Sequence, residues 1–156
     1  MDYSLETAKS LFFSVDGSKY HLWHDGMIKE YENYNIDRAT ESQWLKELTN
    51  LRLKQYKQTS KFEYLRPIID LYNRYDLLDE IIKVKFKGSY INKIAIIELL
   101  IEAINRNRGK IKNHEDYKNT IIENYNKLKE GNIPIKYLNN GLELRMKNIE
   151  EKLGVV

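Results

Sequence analysis

The chain has 156 residues, 42% hydrophobic, 31% charged and 12% aromatic, which suits one ordinary domain with a packed core and argues against long disorder. The absence of cysteine excludes a disulfide framework, a Cys-ligated zinc site and thiol catalysis. Twenty-six basic and 23 acidic residues are interleaved to a net charge of +3, so most of the charge reads as solvated surface.

Met1 to Glu6 places an acid where a signal peptide needs base, with no apolar run behind it. The most apolar stretch, Ile94 to Ile101, is broken by Glu98 and followed by Glu102, too short and too charged to span a membrane. A cytoplasmic protein without a membrane segment is therefore expected. Ile, Lys, Asn and Tyr, all specified by AT-rich codons, are abundant, and a bacterial source is expected.

A short helix is expected at residues 5–12. Residues 12–36 then hold aromatic clusters broken by Asp16-Gly17 and Asp25-Gly26. An Asp-Gly pair between apolar runs marks a tight hairpin turn, because such a turn needs positive φ. Tyr20 and Leu22 alternate against His21 and Trp23, so a small β-hairpin or two-turn loop, packed by its own aromatics, is predicted. From Thr40 the pattern becomes helical. Thr40 and Gln43 suit a capping box, and Trp44, Leu45, Leu48 and Leu51 form an apolar face.

Phe62, Leu65, Ile68, Ile69 and Tyr72 give the next stripe. Ser60 and Glu63 resemble a cap, but Pro67 conflicts with a straight helix, which must kink there or begin near Tyr64. Leu77 to Phe86 suits a third helix, although Lys83-Val84-Lys85-Phe86-Lys87 also alternates like an edge strand. Residues 91–104 are apolar nearly all round, as in a central buried helix, with Asn92, Glu98, Glu102 and Asn105 as a polar strip. Asn113 starts a helix bearing Tyr117, Ile121, Tyr125 and Leu128, ended by Gly131. Asn140 and Glu143 resemble a cap for the last helix, with Leu142, Met146, Ile149 and Leu153 inward and Gly154 behind. The fold class is mainly α: a single helical domain over residues 1–156, forming an irregular bundle or a short stack of antiparallel helical pairs. No internal repeat is found.

His21, His24 and Asp25 invite a metal reading, yet on a strand residues three apart diverge, so no metal is expected there. His114-Glu115-Asp116 opens a helix, where acids offset exposed amides. Asp70, Asp76, Asp79 and Glu80 gather carboxylates, but Arg74 and Lys83 lie nearby and ion pairing suffices. Phosphate-loop, dinucleotide and nucleophile-elbow motifs are absent, and no catalytic residue or cofactor is assigned. Two groups remain as candidate binding residues. Tyr20, Trp23, Tyr31 and Tyr34 crowd one segment, either as a small core or as a protein-binding patch. Arg106, Arg108, Lys110 and Lys112 form a basic loop around Gly109 that could contact nucleic-acid phosphates. Lys54/Lys57/Lys61 and Lys83/Lys85/Lys87 are further basic stretches.

The segment from Phe12 to Gly26, followed by Glu30-Tyr31-Glu32-Asn33-Tyr34, resembles the start of small uncharacterised proteins from low-GC Gram-positive bacteria, over about the first 45 residues. The resemblance implies a small helical protein and carries no catalytic residue. The function expected is a non-enzymatic protein-binding or regulatory module. Nucleic-acid binding through loop 106–112 is the alternative, and an enzyme whose carboxylates and histidines converge only in the fold is the third.

Overall fold

The computed structural model describes residues 3–137 and 141–154. Those residues are 76% helical, with ten α-helices and no strand, so the mainly-α expectation holds and the hairpin does not. The chain divides into two compact units, Met1–Lys54 and Gln55–Val156, with the boundary inside its longest helix.

The first unit contains α1 (Tyr3–Ser14), α2 (Lys19–His24), α3 (Ile28–Glu32) and most of α4 (Arg38–Thr59). Both Asp-Gly pairs terminate helices. At the end of α1, Gly17 N–H donates to the Phe12 carbonyl at 2.8 Å and Asp16 N–H to that of Phe13 at 3.1 Å. At the end of α2, Met27 N–H donates to Leu22 at 2.8 Å and Gly26 N–H to Trp23 at 3.1 Å. These are paired 6→1 and 5→2 bonds of a Schellman cap. The positive φ that a hairpin turn would need is what this cap also needs, at Asp16 (53°), Gly17 (75°) and Gly26 (76°). Asp-Gly thus specifies the local dihedral and leaves the flanking elements undecided. Gly17 is required twice over, since a Cβ there would sit 2.8 Å from Leu45 Cδ2 and 3.0 Å from the Phe12 ring. Arg52 fastens the turn through Nε and Nη2, at 2.7 and 2.5 Å from Asp16 Oδ1.

The buried hydrophobic residues of this unit are Ala8, Phe12, Val15, Leu22, Tyr31, Trp44 and Leu48. The Phe12 ring lies 6.0 Å from Tyr31 and 5.5 Å from Trp44. Leu51 turns outward at 41% exposure, so the predicted apolar face is narrower than expected. Helix α4 is capped by Asp37, whose Oδ1 accepts from Thr40 N–H at 2.7 Å, and not by Thr40 and Gln43. Asp is the stronger N-cap, and it starts the helix earlier.

The second unit is built around α7 (Tyr90–Arg106), whose Ile94, Ile96, Ile97, Leu100, Ile101, Ala103 and Ile104 are buried as the all-round apolar pattern predicts. Against it pack α5 (Phe62–Arg66), α8 (His114–Glu130) and α10 (Glu143–Leu153). Helix α6 (Leu78–Ile82) packs on α8, and α9 (Ile135–Tyr137) is a single turn. Of the predicted stripes, Ile121, Tyr125, Leu128, Leu142, Met146, Ile149 and Leu153 are buried, and Tyr117 is only half-buried. Gly154 closes α10 in the left-handed region (φ 70°), while the proposed cap Asn140 lies outside the described residues.

Helix α5 begins at Phe62, not near Tyr64, and its α-helical turns stop at Arg66, immediately before Pro67. The chain widens into a π-helical turn, Pro67–Leu71, in which Tyr72 N–H reaches back five residues to the Pro67 carbonyl at 2.9 Å. Proline has no N–H to donate to the Glu63 carbonyl four residues before it, so the regular ladder is interrupted where the wider turn begins. No strand forms at residues 83–87, although their alternation is real. Phe86 is buried at 7%, and Lys85 and Lys87 on either side of it are exposed.

A polar knot ties this segment down. Ser60, buried at 1% with φ 54°, accepts from Lys87 N–H through Oγ at 3.2 Å. Asn92 Nδ2 donates to the Ser60 and Lys87 carbonyls at 2.8 and 2.9 Å, while Asn92 Oδ1 accepts from Phe62 N–H at 2.9 Å. The first turn of α5 is therefore capped by a side chain thirty residues away. The predicted Ser60–Glu63 cap does not form, because Ser60 is turned to receive Lys87.

Candidate functional site

Helix α2 presents a patch of exposed rings. Ser18 begins the helix by accepting from His21 N–H at 3.3 Å, and the Schellman bonds end it. Leu22, with no exposure, is its buried anchor. Tyr20 and Trp23 are 63% and 64% exposed, and His21 and His24 are exposed beside them. The Tyr20 ring lies 6.0 Å from Trp23, 6.1 Å from His24 and 5.5 Å from His21. Helical spacing brings positions 20, 23 and 24 together. A strand would have split them between two faces.

The four aromatics singled out in the sequence thus separate. Tyr20 and Trp23 form the patch, Tyr34 is half-buried, and Tyr31 is core at 4% exposure. Burial pushes the Tyr31 hydroxyl up to about 12, and the neighbouring Glu41 carboxylate adds to the effect. The two histidines join the patch unforeseen. Their signal was the same 3.6-residue spacing, masked by the hairpin reading of the glycine turns.

That reading also gave the wrong reason for setting a metal aside, since His21 and His24 share a helix rather than opposite faces of a strand. His24 Nδ1 lies 3.1 Å from Asp25 Oδ1, and His114 Nδ1 lies 3.3 Å from Glu115 Oε1. Among the described residues, no three His, Asp or Glu side chains are grouped to hold a metal ion.

In the basic loop, Arg106, Arg108, Lys110 and Lys112 are all exposed around the buried Ile111. Arg106 pairs with Glu102 one turn back, and Arg108 donates to Asn105 Oδ1 at 3.0 Å. Asn107 organises the backbone, its carbonyl accepting from Lys110 and Ile111 N–H at 2.9 and 3.1 Å.

The carboxylates each meet a partner of their own. Asp76 forms a two-pronged pair with Arg74 at 2.8 and 2.9 Å, which holds its carboxyl below the usual range. Asp79 accepts from Tyr117 Oη at 2.5 Å, and Glu80 pairs with Lys57 rather than Lys83. A depression of about 350 Å³ holds Asp70, Tyr75, Glu102 and Arg106. Both of its acids face arginines, Asp70 at 3.7 Å from Arg66 and Glu102 on Arg106. Glu98 is forked by Arg145 of α10 at 3.1 and 3.3 Å from Nε.

Comparison with protein-family models, with curated proteins and with solved structures found no match. No helix among the described residues is long and apolar enough to cross a membrane.

Proposed function

We propose that the protein is a non-catalytic binding module that docks another protein on the ring patch of α2. The observation that carries this reading is the exposure of Tyr20 and Trp23 side by side on a helix capped at both ends. Trp and Tyr dominate the binding energy of interfaces, and a pre-ordered scaffold lowers the entropy lost on association.

Local charge argues for a protein rather than a nucleic acid. Between residues 16 and 34 four acids (Asp16, Asp25, Glu30, Glu32) stand against two lysines (Lys19, Lys29), a net charge of −2. Lys19 is moreover held by Glu41 at 3.0 Å. Base-stacking surfaces need a cationic track for the phosphates, which this one lacks. The partner surface that fits is apolar with a basic rim.

The reading is tested by placing a photo-crosslinking residue at position 20 in cells of the native host, identifying the captured protein, and titrating it in purified form. Saturable binding that Trp23→Ala weakens by about 30-fold or more, with unchanged circular dichroism, is expected for an anchor residue. Binding unaffected by Trp23→Ala and Tyr20→Ala together would refute the assignment.

A further inference from the structure

The unit Gln55–Val156 carries a second feature, unrelated to the ring patch. A cleft of about 430 Å³ is lined by Lys57, Glu80, Lys83, Lys85, Lys87 and the buried Ser60. Lys57 is matched by Glu80. Among the described residues, Lys83, Lys85 and Lys87 have no carboxylate within ion-pair distance. Three unmatched ammonium groups around one concavity repel one another, and a concave wall concentrates their field.

One of the three lysines is presented by a fixed backbone. Phe86 is buried, while Lys83, Lys85 and Lys87 are exposed and line the same cleft. Lys87 is held at its N–H by Ser60 Oγ and at its carbonyl by Asn92 Nδ2. Ser60 cannot relax independently, because Asn92 also binds its carbonyl at 2.8 Å. Lys87, at one end of the cationic wall, is thus part of the knot that joins the end of α4 to the start of α7.

From this geometry we infer that the cleft binds a small polyphosphorylated ligand through its phosphoryl oxygens. Lysine is a point-charge donor suited to phosphate, and three cations over a short span match several linked phosphoryl groups better than one carboxylate. The volume falls in the range of small-ligand sites. The lining has no aromatic residue on which bases could stack, which disfavours a single nucleic-acid strand.

The test is calorimetric titration of the full chain with inorganic tripolyphosphate, a nucleoside triphosphate and a duplex DNA. Tripolyphosphate should bind saturably, one per chain, at micromolar concentration. The nucleoside triphosphate arm tells the source of the phosphoryl groups: equal affinity means phosphates alone are recognised, and tighter binding means a nucleotide. The Lys83→Gln/Lys85→Gln/Lys87→Gln variant should lose at least tenfold in affinity, while Lys110→Gln/Lys112→Gln should change it less than threefold, both with wild-type circular dichroism. No heat from tripolyphosphate at millimolar concentration would overturn the inference. So would equal losses in the two variants, which would mean net charge alone, or DNA binding through the three lysines without tripolyphosphate binding.

Discussion

Replacing Asn92 by Ala tests whether the polar knot holds the second unit together. The change removes one accepted and two donated hydrogen bonds, leaving Phe62 N–H and the Ser60 and Lys87 carbonyls without this partner. Each such bond has a net worth of about 0.5–1.5 kcal/mol, so the gross loss is about 3 kcal/mol. Alanine regains roughly 0.5 kcal/mol through its higher helix propensity. A net destabilisation of about 2–3 kcal/mol follows, read from urea unfolding by far-ultraviolet circular dichroism as a lower midpoint with unchanged slope. Asn92→Asp keeps the acceptor for Phe62 but turns a second carboxylate oxygen toward the two carbonyls. It should be at least as damaging at neutral pH and recover in part below the carboxylate range, where the protonated acid can donate. A loss below about 0.5 kcal/mol for Asn92→Ala would refute the reasoning, because the knot would then be replaced by water at no cost.

Trp44→Ala should cost about 3–5 kcal/mol, because Trp44 is 4% exposed and packs on Phe12, whereas Trp23→Ala should stay within about 0.5 kcal/mol of wild type; similar losses for both would overturn the burial assignment. The tyrosines predict alkaline sensitivity. Tyr31 is raised to about 12 by burial and Glu41, and burial also raises Tyr56 and Tyr125 above the ordinary value of 10.0. The unfolded chain releases these protons near pH 10 and the folded chain only at higher pH. Their contribution to stability is therefore complete below pH 10 and declines as the pH rises toward 12 and beyond. Urea midpoints at pH 8, 10 and 11 should fall progressively, and less steeply in Tyr31→Phe; identical slopes in the two proteins would remove Tyr31 from the account.

Helical periodicity alone determined the mainly-α class, the central α7 and the inward residues of α8 and α10. Packing selects one face of a helix, and the spacing of apolar residues records which. It also placed Trp44 on the buried face of α4, whereas the exposure of Trp23 follows from a helix where a hairpin was expected. Other features belonged to the tertiary structure. Asp16-Gly17 and Asp25-Gly26 encode positive φ, a dihedral common to hairpin turns and helix caps, and only the neighbouring Phe12, Leu22 and Trp44 decide for caps. Once α2 is a helix, Tyr20, His21, Trp23 and His24 share a surface that alternation would have divided. The role of Asn92 as the cap of α5 has no local trace, because its partners lie far away in the chain. Short-range pattern fixes dihedrals and faces. Which polar side chain satisfies which distant backbone group is settled only when the chain has closed on itself and water has been excluded.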